Sequence, residues 1–134
     1  MNRTHLEGAA EALAAQQGYA FHTGPEDGMA HTVRSYPAAW LAPLELHAVE
    51  GRSHGRATYD MTLHLLSSGA RLSPAERRAA LARMEEQLLE IFAARSLDER
   101  VLAVEGLSVR PRAFALTPHG EISQTAAARI VTFF

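Results

Sequence analysis

Seven histidines and the complete absence of cysteine set the terms for any chemistry in this chain. Without thiols there is no thiolate nucleophile, no disulfide framework and no cysteine zinc site, so imidazoles, carboxylates and hydroxyls must carry whatever is done. The nearest approach to a constellation is His47, Asp60 and His64. A catalytic zinc takes roughly three protein ligands held together. His47 and His64 fall far apart along the hairpin that carries them, and His47 with Asp60 is an incomplete set. Their reading is a cross-strand pair, with a hydrolase centred on His47 and Asp60 as the enzymatic alternative. Ser53-His54 and Ser123 lack a nucleophile elbow. Gly51-Arg52-Ser53-His54-Gly55 is too short for a phosphate loop and no helix follows it. Glu85 and Glu86 are neighbours on a helix and point in different directions, so they form no dyad. His22 and His31 have no spacing signature. No enzyme, cofactor or metal site is expected.

Arginine poses a different question. All thirteen basic residues are arginine, a residue suited to forked ion pairs at interfaces, although a GC-rich genome gives the same bias. Arg52, Arg56 and Arg110-Pro111-Arg112 fall at hairpin ends or strand edges. There they can bridge to acidic groups of a neighbouring subunit, with Glu26, Asp27 and Glu50 as candidate partners, or simply form a solvated rim.

The elements that position these residues are legible from periodicity. Leu6, Ala10, Leu13 and Ala14 share one face of a first helix over Thr4–Gln17, capped by Thr4 with Glu7 three residues on. Residues 22–36 carry turn chemistry and read as a surface loop, with a short strand near Thr32-Val33-Arg34. Prolines 37 and 43 make the segment around Trp40 irregular or an edge. Leu44–Val49 and Ala57–Leu65 alternate as a hairpin, with Ala57, Tyr59, Met61, Leu63 and Leu65 on one face and Thr58, Asp60, Thr62 and His64 on the other. Facing Leu46 with Met61 avoids the like-charge opposition of Glu45 and Asp60, so that register is expected.

Ser73-Pro74-Ala75-Glu76 is a capping box with proline at the first helical position. It opens a helix over Pro74–Ala94 that buries Leu81, Met84, Leu88, Ile91 and Phe92. Strands follow at Val101–Val109, interrupted at Glu105-Gly106, and from Ile122 through Phe134. The expected fold is α+β: an antiparallel-rich sheet of about four strands packed against two helices, in the order α-β-β-α-β-β.

At 134 residues this is one domain, 1–134. The net charge of −2 argues against nucleic-acid readout. No apolar signal core or membrane-length run is present, and a soluble cytoplasmic protein is expected.

Helix, hairpin, longer helix, hairpin, with the last strand closing the sequence, resembles the tail-terminator and minor-tail-protein families of long-tailed bacteriophages and their prophage relatives. The likeness is carried by the Thr4–Gln17 helix, Tyr36-Pro37-Ala38-Ala39-Trp40, the Tyr59-Asp60-Met61-Thr62-Leu63-His64-Leu65 strand, the capped helix, and the closing Gly120-Glu121-Ile122-Ser123 strand. Residues 22–36 have no counterpart. The resemblance implies rings, commonly hexamers, at the head-proximal end of the tail tube, which stop tube growth and offer a surface to the head connector. The partners implied are further copies of the chain, tail-tube proteins and head-connector proteins, with no nucleic-acid readout and no membrane. The location implied is the virion tail, and the bacterial host cytoplasm during assembly. It places subunit contacts at strand edges and loops: Arg52, His54, Arg56, Arg110, Arg112, Phe133 and Phe134. A small-molecule or regulatory binding module, with a pocket between the sheet and the Pro74–Ala94 helix, is the alternative.

Overall fold

The computed structural model describes residues 2–112 and 115–134. In chain order the elements are α1 (Asn2–Gln16), β1 (Ala20–Thr23), a short 3-10 turn (Glu26–Gly28), α2 (Met29–Thr32), β2 (Ala38–Leu41), β3 (Glu45–Gly51), β4 (Gly55–Ser67), α3 (Pro74–Ser96), β5 (Val101–Pro111) and β6 (Ile122–Phe133). The class is α+β, with a mixed six-stranded sheet ordered β1-β2-β4-β6-β5 and β3 paired to β4.

Alternation in β4 decides which side of the sheet is core. Its odd-numbered residues Met61, Leu63 and Leu65 are buried in one cluster with Leu6, Ala10 and Ala14 of α1 and Met84, Leu88, Ile91 and Phe92 of α3. Burying side chains of this size stabilises by about 1.5–3 kcal/mol each. From β6 come Ile122, Ala126, Ala128 and Ile130, again one face at period two. Both long helices therefore lie on one side of the sheet.

The capping box at the start of α3 is formed as expected. Ser73 Oγ accepts from the Glu76 amide at 3.1 Å and Glu76 Oε1 accepts from the Ser73 amide at 3.3 Å. Thr4 does not cap α1, because the helix already starts at Asn2. The Asn2 side chain donates to Thr132 Oγ1 and to the Phe133 carbonyl, anchoring that end on β6.

Four expectations need correction. The sheet has six strands rather than four, and a third, one-turn helix is present. Residues 22–36 are structured: Met29 and Val33 are buried against Ala38, Trp40 and Leu66 on the other side of the sheet, and Thr32 is helical rather than extended. The proline-flanked segment is an inner strand, β2, parallel to β1 and antiparallel to β4, with all four residues buried. Its prolines stand outside it at 37 and 43, so no ladder amide is lost. Lastly, Leu46 faces Tyr59, and Glu45 faces Asp60. Both registers keep Leu46 on the side of Tyr59 and Met61, so the expected one rested on avoiding the Glu45–Asp60 opposition, and that opposition is what the structure contains. The repulsion at Asp60 is relieved by Arg129, its partner on β6, 3.6 Å away, and by His47 at 3.4 Å.

Leu88→Ala should cost about 2–5 kcal/mol, the usual penalty for truncating a fully buried leucine. Ser73→Ala should cost about 1 kcal/mol through loss of the cap. Urea unfolding of the two variants checks both the values and their order.

Candidate functional site

The seven arginine, histidine and phenylalanine residues expected at an interface separate into two groups. Gly51 and Gly55 close the β3–β4 hairpin so tightly that a Cβ at Gly51 would sit 2.4 Å from the His54 carbonyl oxygen, and one at Gly55 would sit 1.9 Å from that of Glu50. This projects Arg52 and His54 at a tip. Phe134 joins that tip through two backbone bonds with Gly55, at 2.9 and 3.1 Å, and Phe133 is the register partner of Arg56. Arg52, His54, Arg56, Phe133 and Phe134 are thus gathered at one pole, and all are exposed.

Arg110 and Arg112 lie elsewhere. Arg110 faces Thr125, eight residues back along β6 from Phe133. At about 3.4 Å per residue the two groups stand roughly 27 Å apart.

The first pole is also apolar. Val49, Leu102, Phe133 and Phe134 are exposed there, with Phe133 and Phe134 each 45% accessible, and exposed Leu46 stands farther back along β3. No helix covers β3, whose seven residues are exposed apart from half-buried Ala48.

A second constellation lies on the face away from α1 and α3, which β4 presents through Thr58, Asp60, Thr62 and His64. His64 is only 1% exposed. Its Nδ1 lies 2.7 Å from Thr125 Oγ1, and its Nε2 lies 2.9 Å from Glu26 Oε1. An ionised carboxylate only accepts, so Nε2 carries the proton and Nδ1 accepts from the Thr125 hydroxyl. Burial pushes the imidazole below its ordinary pKa; the Glu26 hydrogen bond and charge oppose the shift and the Arg112 charge adds to it. Opposite His64 stands Trp40, stacked on His22 at 6.0 Å, with its indole N–H donating to the Gly24 carbonyl. The 24–33 segment is therefore fastened to the sheet by Glu26, Met29 and Val33 together.

A hydroxyl, an imidazole and a carboxylate in line can polarise the hydroxyl. Thr125, however, sits mid-strand between His64 on β4 and Arg110 on β5, with ladders on both sides. In this setting the relay locks the 24–33 segment down on the sheet.

The same face carries an open groove of about 510 Å³, floored by Ala127 and Thr125 and lined by Ser108, Arg110, Arg112 and Leu116. On the far side of Ala127 a second depression is rimmed by Asp60, Glu105 and Arg129. The layer between the sheet and α3 is filled by Met84, Leu88, Ile91 and Phe92.

His47 and Asp60 do meet, 3.4 Å apart, although they are not register partners, because β3 is irregular between Leu46 and Ala48. Both are about two-fifths exposed and are joined by Arg129, a surface charge cluster. Among the described residues no three His, Asp or Glu side chains converge on a metal position. Ser123 lies buried near the start of β6, and Ser53 belongs to the hairpin tip. No described helix is long and apolar enough to cross a membrane.

Two polar clusters escaped sequence reasoning. Asp98 accepts from the Arg100 amide, His5 and Arg95. Burial opposes ionisation of Asp98, and these donors together hold its pKa below the ordinary carboxylate value. Glu121, buried, accepts from the amides of Leu116 and Thr117 and from the Thr117 hydroxyl, pinning the turn before β6. In neither case does spacing announce a site. In comparisons with known proteins, no family model and no curated protein matches the chain.

The sign of the His64 contribution follows from its lowered pKa. Below the ordinary value of 6.5 the unfolded chain binds a proton that the native state resists. Stability should be fully present above that pH and fall as the pH drops toward the native value. His64→Gln should flatten this slope in urea titrations run at stepped pH.

Proposed function

We propose that this chain is a non-catalytic structural subunit that assembles through its exposed strands, and that it acts as a tail terminator or minor tail component of a long-tailed phage or prophage. In that reading it closes a ring, hexamers being the commonest form, at the head-proximal end of the tail tube. Its partners are further copies of itself, the tube and the head connector. Its place is the virion tail, and the host cytoplasm during assembly.

The observation that carries the reading is the apolar pole. Among the described residues, four of eight exposed large hydrophobic side chains (Val49, Leu102, Phe133 and Phe134) lie at the pole that also bears the projecting hairpin. Monomeric proteins seldom leave such a cluster to water, and clusters of this kind mark contact surfaces. β3 and β5 are free sheet edges on opposite sides of the pole, and unguarded edges pair readily with other chains. Two different edges suit a heterologous, head-to-tail contact, which closes into a ring when the rotation permits. The resemblance rests on an order of helix, hairpin, capped helix and hairpin; the chain has these elements and, between the first helix and the first hairpin, β1, α2 and β2 as well.

Native mass spectrometry over a concentration series, with and without tail tubes from a long-tailed phage, tests the proposal. A discrete ring or a capped tube is expected, lost in Val49→Glu and in Phe133→Glu. A chain that stays monomeric at high concentration and leaves tubes uncapped would sink it.

A further inference from the structure

We infer that the groove on the sheet face away from α1 and α3 binds a small organic acid, its carboxylate held between Arg110 and Arg112 and its apolar body lying on Ala127 and Leu116. The inference goes beyond the assembly reading and does not depend on it.

Residues two apart in a strand share a face and stand about 7 Å apart. Ser108, Arg110 and Arg112 accordingly line one wall of the 510 Å³ groove, a volume in the range of small-molecule sites. Among the described residues neither guanidinium has a carboxylate within 4.0 Å nor a side-chain hydrogen bond, whereas Arg95 and Arg129 each have an aspartate. Two cations on one wall with no counter-charge repel one another, and an anion between them removes that repulsion. The guanidinium fork matches the planar carboxylate in a bidentate geometry.

The rest of the lining restricts the class of anion. Ala115, Leu116, Pro111 and Ala127 are apolar, and a bare inorganic anion would leave them wet. Thr125 Oγ1 is occupied by His64, which leaves the Ser108 hydroxyl as the neutral donor on the wall. Neutral His64 behind Thr125 adds no charge, and the Arg112 charge that helps keep it neutral reaches into the same corner. Beyond Ala127 the adjoining depression is rimmed by Asp60, Glu105 and Arg129. Arg129 is engaged by Asp60, so the two carboxylates leave that end with an excess of negative charge that disfavours an anion. The ligand is therefore confined to the arginine end, which sets a short apolar body.

Hexanoate is the probe, followed by amide NMR shifts and calorimetry. Inorganic phosphate, hexanol, and one short peptide ending in leucine, with its carboxyl group free or amidated, are run beside it. Saturable hexanoate binding is expected, with shifts at Arg110, Arg112 and Thr125, and weaker binding of hexanol and phosphate. Arg110→Gln and Arg112→Gln should each weaken hexanoate binding by about tenfold or more, as expected for loss of a charged hydrogen-bond partner. Arg100→Gln, exposed and at the other end of β5, should leave it unchanged. Circular dichroism checks the fold, and the two single substitutions stand in for one another should either fail to fold. Absence of saturable hexanoate binding, phosphate binding as tight as hexanoate, or binding by the free-carboxylate peptide alone would overturn the assignment.

Discussion

The β4–β6 ladder is the constraint on which the rest of the molecule depends. Twelve consecutive pairs run unbroken from Arg56↔Phe133 to Ser67↔Ile122. A slip of one residue would move Met61, Leu63 and Leu65 from the helical layer to the opposite face. The ladder therefore fixes the core, the opposite face and both ends together. β4 is long enough to use its other edge twice, pairing with β2 over residues 63–66 and with β3 over residues 55–60. That division leaves β3 outside the helical layer and makes the hairpin a projecting arm.

The two faces of the sheet are held by different physics. On the helical side, side chains from α1 and α3 interdigitate with β4 and β6, and the term is apolar burial. On the other side a smaller apolar group around Trp40 covers only one part of the surface, and a buried imidazole bonded at both nitrogens completes the attachment. A buried polar group without partners costs free energy, so His64 holds the 24–33 segment in a defined place where apolar contact alone would allow sliding.

Much of this was legible in the sequence, and the misses have causes. Strict alternation over nine residues identified β4 and its core face, and the capping box located α3, because both signals are local. β1 and β2 were missed because four-residue strands offer too little periodicity and two prolines stood beside one of them. The hairpin register failed on a single assumption, that Glu45 and Asp60 would avoid facing one another. They do face, because Arg129 on the neighbouring strand β6 offsets the charge of Asp60, a contact that the hairpin taken alone does not reveal. Arg110 and Arg112 were legible only as interface candidates at a strand edge; that they line one wall of a groove depends on the pairing of β5 with β6. Glu26 and His64 are 38 residues apart and join only through the fold of the 24–33 segment, which no local pattern describes. Grouping Phe133 with Arg52, His54 and Arg56, and separating them from Arg110 and Arg112, required the β4–β6 pairing itself.

That separation changes how the arginines should be understood. Read along the chain, they form one rim of cations. In the fold they occupy two environments. At the hairpin pole exposed Arg56 is the register partner of Phe133, and exposed Arg52 lies on the tip that Phe134 joins. On the face away from α1 and α3, Arg110 and Arg112 flank a concave surface floored by alanine and threonine. Charge beside exposed apolar groups favours a macromolecular contact, because the rim directs association while the apolar centre supplies the burial. Charge beside a small apolar concavity favours a compact anion, because only an anion of matching size satisfies both the guanidinium forks and the floor. One residue type, placed at two ends of one ladder, thus supports two kinds of recognition, and the difference lies in the curvature and polarity that β4 and β6 impose around it.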